Sequence, residues 1–339
     1  MKYGSVCSGV EAATVAWHPL GWEPQWFSEI EKFPCAVLQY HYPTVPNFGD
    51  MTNFKEWNDD PIDLLVGGTP CQSFSVAGLR KGLDDPRGNL MLTYLAIAER
   101  YQPRWLVWEN VPGVLSSNGG RDFGTFLTAL GQLGYGFAYR VLDAQYFGVA
   151  QRRRRVFVVG YLGDWRRAAA VLFERESLSG HPAPSREKRQ EVAKTLTRGV
   201  GQRYDPETET LPIAFGWQNS ANQGDSVSEH VTPTLDKSKT PAVAYGIDHD
   251  LNAAKELMGP LIRGPQGSPR NAVSQGLFVR RLTPTECERL QGFPDDYTLI
   301  PYRNKPAADG PRYKAMGNSM AVPVMNWIGK QIQMVENMK

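Results

Sequence analysis

The stretch "DLLVGGTPCQSFS", residues 63–75, joins a short apolar run to two glycines and to a proline that directly precedes a cysteine. A near-continuous apolar run that stops at glycines is typical of a strand buried on both faces of a parallel sheet. Cys71 then lies in the loop at the carboxyl end of that strand, where reactive groups of open α/β sheets collect. Because free cysteine also fills protein cores, the flanking sequence has to separate a core residue from a nucleophile.

Length and composition limit the class of protein. The chain has 339 residues, 41% of them hydrophobic, and its 37 basic and 35 acidic residues leave a net charge of +2. This length predicts one large and one smaller domain, and the near-neutral charge points to no particular partner. No apolar run reaches the roughly 18 residues of a membrane span, and the N-terminus lacks a signal-peptide stretch. We therefore expect a cytoplasmic protein without membrane contact.

The four cysteines predict neither disulfides nor a metal site. Cys7, Cys35, Cys71 and Cys287 lie far apart and form no CxxC pair. Zinc sites and disulfide frameworks both need closer or patterned spacing, so a reducing compartment fits best and no metal is expected.

Strands and helices alternate over residues 1–162, which predicts a doubly wound, mostly parallel α/β sheet. A glycine turn at Ser8-Gly9 leads from the first strand into a helix. The predicted strands are 3–7, 24–31, 61–68, 105–111, 137–145 and 154–162, and the longer predicted helices are 87–104 and 123–136.

The second half of the chain changes in texture. Residues 163–278 are rich in Gly, Pro, Ser, Thr, Asn and Gln, with short β-like pieces at 193–197, 212–217 and 240–246. This composition fits a disordered insert or a small irregular β-rich domain, and its aromatic residues favour the β domain. Residues 276–297 are interpreted as a helical stretch with a Thr-Pro start, followed by an amphipathic helix at 322–335. We predict three segments: 1–165, 166–280 and 281–339.

Several polar residues follow predicted strands. Glu29 ends the second strand where a carboxylate can hold ribose hydroxyls, and Asp50 after Gly49 could meet an adenine edge. An adenosine-type ligand and a purely structural turn both remain open, since no GxGxxG is present. Glu109 ends the strand "WENV", where a carboxyl can acquire a raised pKa and donate a proton, or can simply cap a loop. The run "QRRRR", 151–155, concentrates four cations ahead of the last strand.

These motifs resemble, in their order, those of the prokaryotic and phage DNA (cytosine-5) methyltransferases. The matching stretches, which span residues 3 to about 330, are "SVCSGVEAA", "GGTPCQSFS", "ENV", "QRRRR" for Gln-x-Arg-x-Arg, "RLTPTECERLQGFPDDY" and "GNSM". The resemblance implies a Rossmann-like methyltransferase fold and S-adenosyl-L-methionine as cofactor.

The resemblance also implies a mechanism. Cys71 would attack C6 of a flipped-out cytosine, and Glu109 would engage N3 and the exocyclic amine while C5 takes the methyl group. Cytosine C5 is a poor nucleophile until a thiolate adds at C6, and the ring must leave the base stack to be reached. Arg153 and Arg155 would favour the thiolate and hold the cytosine O2 and the adjacent phosphate.

Other site residues are implied by position within the motifs. The cofactor-binding set is Cys7, Gly9, Val10, Glu11, Glu29, Ile30, Asp50, Met51, Pro70, Asn318 and Ser319, and the DNA-binding set is Gln72, Ser73, Gln151 and Arg152. Three departures from the family pattern leave room for a modified S-adenosyl donor. Cys7 stands where phenylalanine is usual, Ile30 where tryptophan is common, and Glu11-Ala12 replace a glycine pair.

By resemblance, residues 166–280 form the target-recognition domain. Residues 186–203 carry six basic and two acidic side chains, and residues 263–281 carry four arginines and no acid, which fits contacts to DNA phosphates. The family often has a Thr-Leu pair here, and both Thr195-Leu196 and Thr234-Leu235 are candidates. The expected partners are double-stranded DNA and a restriction endonuclease of the same system that forms no stable complex with the protein, which we expect to be a monomer in a bacterium or phage-infected host.

Three other functions are weighed against this one. A tRNA-directed enzyme of the same superfamily usually carries Cys-Phe-Thr, and here no cysteine precedes Phe. A catalytically silent DNA-binding regulator would not need intact Cys71, Glu109 and both arginines. A dinucleotide-dependent oxidoreductase is disfavoured by the missing GxGxxG.

Overall fold

The computed structural model describes residues 1–70, 90–173 and 282–338 in full, and the backbone of three further strands at 213–215, 242–246 and 277–281. Cys71, Gln72, Ser73 and both Thr-Leu pairs lie outside the described residues.

A six-stranded sheet forms the centre of the protein, in the order β2-β1-β3-β4-β6-β5. The first four strands of this order run parallel, whereas β6 is antiparallel to both β4 and β5. The predicted mostly parallel sheet is thus confirmed, and β6 is the strand of this sheet that runs antiparallel to its neighbours. The strands are β1 (Lys2–Val6), β2 (Glu23–Ser28), β3 (Leu64–Gly67), β4 (Trp105–Asn110), β5 (Tyr135–Asp143) and β6 (Arg154–Leu162).

Helices cover both faces of this sheet, and each face has its own apolar cluster. Leu64 and Val66 of β3 belong to one cluster, with α1, α5 and α8, and Leu65 belongs to the other, with α3 and α4. Burial on both faces explains why these strands are apolar at nearly every position. The helices are α1 (Ala12–Trp17), α2 (Lys32–His41), α3 (Leu90–Tyr101), α4 (Arg121–Gln132), α5 (Trp165–Leu172), α6 (Pro284–Gln291), α7 (Asp309–Asn318) and α8 (Val322–Asn337).

The last helix, α8, packs against the first part of the chain. Three indole N–H groups bond to it: Trp17 Nε1 donates to the Met325 carbonyl at 2.7 Å, and the other two donate to side chains at 2.9 Å. Those two pairs are Trp22 with Gln333 and Trp105 with Glu336. In the described part of the chain, no helix has both the length and the apolar character needed to cross a membrane.

Helix α5 begins at Trp165, beside the predicted segment boundary, and its inner face is buried in the same cluster as Tyr3 and Trp105. One segment differs from its sequence-based prediction. The stretch 276–297 is helical only over α6, and residues Leu277–Arg281 form strand β9. A capping box at Thr283 explains this boundary, because its hydroxyl accepts from the Glu286 N–H at 3.2 Å and the Glu286 carboxylate accepts in return.

The second sheet has three antiparallel strands, β7 (Ile213–Phe215), β8 (Ala242–Gly246) and β9. Strands β7 and β8 fall within the β-like pieces predicted at 212–217 and 240–246. A hairpin of β10 (Pro301–Tyr302) and β11 (Lys305–Pro306) completes the list of described strands.

The close packing of α8 on α1 predicts that one methyl group added at Gly329 lowers the stability of the protein. A Cβ at Gly329 would lie 2.5 Å from two ring atoms of the buried Trp17. Overpacking of this kind typically costs about 1–3 kcal/mol of unfolding free energy, so we expect Gly329→Ala to destabilise the protein. Urea unfolding followed by circular dichroism measures the change.

The matched control is Gly124→Ala in α4, where an added Cβ meets no atom within 4 Å. Alanine is the better helix former by up to about 1 kcal/mol, so this variant should be unchanged or more stable. Equal stability of the two variants would show that α8 does not pack on Trp17 as described.

A candidate active-site cleft

The carboxyl ends of β1, β3 and β4 open into a cleft of about 1160 Å³. Parallel register brings these ends to one edge, since Val6 pairs with Gly67 and Gly67 with Trp108. Small-molecule sites usually occupy about 300–1,000 Å³, so the volume suffices for a nucleoside-sized ligand and part of a second one. The predicted site residues that line it are Cys7, Gly9, Glu29, Ile30, Asp50, Met51, Pro70, Glu109, Arg153, Arg155 and Asn318.

The other described candidates do not line the cleft. Val10 and Glu11 are buried behind the N-terminal turn, and Ser319 is buried after α7. Gln151 is fully buried, and Arg152 points to the surface because side chains alternate along this extended segment.

The turn after β1 has an unusual backbone. Cys7 (φ 49°), Gly9 (φ 57°) and Glu11 (φ 65°) are all left-handed, a conformation that favours glycine. Glu11 adopts it with a carboxyl group that is only 1% exposed and accepts a hydrogen bond from Ser5 Oγ at 2.9 Å. Burial raises the pKa of Glu11 to about 7.

Backbone amides hold the carboxylate of Glu29 in place. Its Oε1 accepts from the N–H groups of Ile30 at 2.8 Å and Glu31 at 2.7 Å, and its Oε2 accepts from Gly9 at 2.8 Å. A carboxylate oxygen can accept two hydrogen bonds, so Oε2 has capacity for one more donor at the cleft. A ribose hydroxyl is a donor of the required kind.

The next part of the wall combines one carboxylate with sulfur and aliphatic side chains. Asp50 caps the turn Met51–Glu56, where its Oδ1 accepts from the Thr52 N–H and hydroxyl, both at 2.9 Å. Burial, with Glu29 and Asp50 nearby, raises the pKa of the Cys7 thiol to about 12, so this thiol is neutral. Ile30 is 69% exposed at the cleft, where its side chain is available for contact with a flat apolar ring.

Glu109 and Arg155 form an ion pair at one corner of the cleft. Arg155 Nε lies 3.1 Å from Glu109 Oε1, with little of either side chain exposed. Burial raises the pKa of the Glu109 carboxyl, and the Arg155 and Arg153 guanidinium groups oppose that rise. Gly68 leaves room for this carboxylate, because a Cβ there would lie 3.0 Å from Oε2.

Arg153 connects this corner to the turn that follows α7. Its Nη2 donates to the carbonyls of Ser319 at 2.7 Å and Gly317 at 3.3 Å. Its Nε and Nη1 are buried without a hydrogen-bond partner among the described residues. Burial lowers the pKa of Arg153 to about 9, which still leaves it cationic at neutral pH. Asp143 Oδ1 holds its backbone by accepting its N–H at 2.9 Å.

The chain just before Cys71 is tied to β4. Thr69 Oγ1 accepts from the Trp108 indole at 2.9 Å, and the Thr69 carbonyl accepts from Asn110 Nδ2 at 2.8 Å. Pro70, which follows, lines the cleft. Pro70, which directly precedes Cys71 in the chain, is therefore held on the same cleft as the Glu109–Arg155 pair.

Several lining residues were not predicted from the sequence. Tyr302 of the β10–β11 hairpin packs edge-on against Phe33 with ring centroids 5.2 Å apart, and Lys314 pairs with Glu31 at 2.6 Å across the rim. None of the motifs marks these positions, since the contacts join segments that are far apart in the chain. Thr69 lies inside a motif, and the neighbouring Pro-Cys pair could have drawn attention to it.

The fold and cleft together define an α/β protein with a large cleft, at the carboxyl ends of its strands, beside a buried carboxyl–guanidinium pair. The sequence matches the model of the family described as C-5 cytosine-specific DNA methylase over residues 1–334. The protein therefore belongs to that family, which confirms the predicted family and enzyme class.

Individual relatives show how far the similarity extends. The chain is 37% identical to a "DNA N-6-adenine-methyltransferase" of Escherichia phage P1, an alignment that covers 97% of this chain and 61% of the phage protein. The chain thus spans about three-fifths of that relative's length. It is 30% identical to the Type II methyltransferase M.SsoII of Shigella sonnei, with 90% of this chain and 72% of that protein covered.

Solved structures agree on the fold. The S. pombe Dnmt2 methyltransferase aligns with a TM-score of 0.62 at 14% identity, covering all of both chains. A putative DNA modification methyltransferase from an E. coli prophage aligns with a TM-score of 0.55 at 19% identity, covering 99% of each chain.

The buried Glu11 predicts a pH dependence of stability. Its pKa of about 7 lies above the ordinary value of 4.5, so the folded state holds its proton more tightly than the unfolded state. The stability that the protonated Glu11 contributes is fully present below the ordinary pKa of 4.5 and is lost as the pH rises through the pKa of about 7 in the folded state. At about 1.36 kcal/mol per pH unit, the wild type should lose about 3 kcal/mol relative to Glu11→Gln between pH 4.5 and 8.

Urea unfolding of both proteins across this pH range measures the difference. The control is Glu23→Gln, which changes an exposed carboxylate. A constant difference between wild type and Glu11→Gln at all pH values would contradict the prediction.

Proposed function

We propose that the protein transfers a methyl group from S-adenosylmethionine to C5 of a cytosine flipped out of duplex DNA, through a covalent bond between Cys71 and C6. One observation carries the proposal: the buried Glu109–Arg155 pair faces the same cleft as Pro70, Glu29 and Asp50. This arrangement supports the proposal, because the candidate proton donor, the residue before the candidate nucleophile and the candidate ribose- and adenine-binding carboxylates line one cavity.

The cofactor side of the cleft suits S-adenosylmethionine. The remaining acceptor position of Glu29 Oε2 fits a ribose hydroxyl, Asp50 fits the adenine amine, and Ile30 offers an apolar surface for the adenine ring. Asn318 would hold the methionine end. When bound, the cofactor supplies an electrophilic methyl group.

The protein's own residues would then activate the base. The Cys71 thiolate adds to C6, which makes C5 nucleophilic, while Glu109 donates its proton towards N3. A carboxyl whose pKa is raised by burial is suited to this donation, and Arg155 keeps it oriented. After methyl transfer, the C5 proton leaves to water, Glu109 takes back the proton from N3, and the bond between Cys71 and C6 breaks to release the thiolate, which restores the aromatic ring.

Cations close to the cleft favour both the thiolate and the DNA. Arg153 and Arg155 would stabilise the negative sulfur and contact the cytosine O2 and a neighbouring phosphate. Gln72, Ser73, Gln151 and Arg152 are proposed DNA contacts, and residues 166–280 are proposed to recognise the target sequence. The Type II relatives support a role in a restriction-modification system, and we propose a monomeric enzyme in the cytoplasm of a bacterium or phage-infected host.

Transfer of labelled methyl groups from S-adenosylmethionine to duplex DNA and to tRNA tests the substrate. Nucleoside analysis by mass spectrometry should show 5-methylcytosine in DNA alone. Methylated tRNA or a lack of any transfer would contradict the proposal, as would N6-methyladenine, the product named for the phage relative. An exocyclic amine is itself the nucleophile in that reaction, and needs no cysteine.

We expect Cys71→Ser to lower methyl transfer by at least about 10³-fold, because a serine hydroxyl is not ionised near neutral pH. DNA binding and the circular dichroism spectrum should stay unchanged. Cys35→Ser is the matched control, since the Cys35 thiol donates to the Glu29 carbonyl at 3.1 Å and serine can keep that bond. Normal turnover by Cys71→Ser would overturn the mechanism.

DNA containing 5-fluorocytosine should trap the enzyme. Fluorine cannot leave as a proton does, so the reaction is expected to stop after methyl transfer with Cys71 still bound to C6. A complex that survives denaturing electrophoresis, forms only with S-adenosylmethionine and is absent for Cys71→Ser is the expected result. No such complex from an active preparation would contradict addition at C6.

A further inference from the structure

The C-terminal end of α7 receives hydrogen bonds from two distant segments. The last carbonyls of a helix have no partner within the helix and must find donors elsewhere. Gln291 Nε2 donates to the Met316 carbonyl at 2.7 Å and approaches the Ser319 carbonyl at 3.4 Å. Arg153 Nη2 donates to the Ser319 carbonyl at 2.7 Å and the Gly317 carbonyl at 3.3 Å.

Gln291 is an unexpected residue for its surroundings. It is fully buried at the end of α6, and its amide hydrogen bonds all go to carbonyls at the C-terminal end of α7. Its Oε1 has no partner among the described residues. Burial of an amide is costly unless its hydrogen bonds are made, whereas a methionine would fill a similar volume without that cost. The amide therefore serves the geometry of the turn rather than the packing.

Helices α6 and α7 are also joined one turn earlier. Arg312 Nη2 lies 3.1 Å from Glu288 Oε1, and both side chains are almost fully buried. Gln291 follows Glu288 by three residues, and Met316 follows Arg312 by four, so the second contact repeats the first after one helical turn. The two helices are thus fixed relative to each other along their length.

The turn held in this way carries a residue of the cleft. Asn318 lies between the carbonyls that Gln291 and Arg153 hold, and both Asn318 and Arg153 line the cleft. We propose that Gln291 is a positioning residue, which with Arg153 fixes the backbone of residues 316–319 so that Asn318 faces the methionine end of the cofactor. This inference rests on the proposed function, because the ligand at Asn318 is part of that proposal.

In this proposal, Gln291 connects the proposed target-recognition region with the residues that would hold the cytosine. Helix α6 follows β9 in the chain, so Gln291 lies directly after the proposed target-recognition region. Arg153 lies beside the Glu109–Arg155 pair that would hold the cytosine. Gln291 and Arg153 both donate to the Ser319 carbonyl, which in this proposal lies between the cofactor site and the base site.

The test is the affinity for S-adenosylmethionine of Gln291→Met, measured by calorimetry beside wild type. Loss of one or two hydrogen bonds should raise the Kd about three- to tenfold, with the Kd for duplex DNA unchanged. Gln333→Met is the control. Gln333 lies on α8, away from the cleft, and the substitution removes an amide oxygen that accepts a hydrogen bond from the Trp22 indole. It should alter thermal stability alone.

A second variant covers the case in which Gln291→Met does not fold. Gln291→Asn keeps the amide but shortens its reach, and should weaken cofactor binding in the same direction. A double-mutant cycle of Gln291→Met with Arg153→Met should show a coupling of at least about threefold in the Kd, because both side chains hold the Ser319 carbonyl.

The outcomes separate the two proposals. If wild type neither binds S-adenosylmethionine nor methylates DNA, the proposed function fails. If wild type does both and the folded Gln291 variants bind the cofactor as wild type does, or only as weakly as Gln333→Met, the role of Gln291 is overturned and the function stands.

Discussion

The antiparallel pairing of β6 with β4 is the constraint on which the Glu109–Arg155 corner of the cleft depends. In an all-parallel sheet, the strand next to β4 would begin at the opposite edge, far from Glu109. Here Glu109 is opposite Phe157 and Asn110 is opposite Val156, so the residues before Val156 arrive at the edge where β4 ends. Arg155 can therefore reach the Glu109 carboxylate, and Arg153 lies two residues further into the cleft.

The electrostatics of this corner follow from that placement. A buried carboxylate without a partner would be costly, and Arg155 provides that partner. Burial raises the pKa of Glu109, and the two guanidinium groups oppose that rise. Burial, together with Arg155, lowers the pKa of Arg153 to about 9, which is still above neutral pH, and the Glu109 carboxylate opposes the lowering. The guanidinium also donates to carbonyls at the C-terminal end of α7, where a cation is favourable.

Much of the fold and part of the site could be predicted from the sequence, for identifiable physical reasons. Strands buried on both faces are apolar throughout, so "DLLVGG" and "RRVFVVGYL" are visible without a structure. Residues at the ends of such strands converge on one edge, which is why Glu29, Asp50, Pro70 and Glu109 meet in the cleft. The direction of a side chain within a turn has no comparable signal. In the turn after β1, the left-handed backbone directs Val10 and Glu11 away from the cleft, whereas Cys7 and Gly9 line it.

The remaining part of the site depends on contacts between distant segments. The strained turn after β1 is held from behind by the last third of the chain, since the Tyr297 hydroxyl donates to the Val10 carbonyl at 3.0 Å. Arg153 and Gln291 meet on the turn after α7, and α8 bonds to Trp17. Residues 1–165 therefore carry most of the side chains that line the cleft, and contacts from the last part of the chain support them. Residues 282–338 also complete its wall, because Tyr302, Lys314 and Asn318 line the cleft.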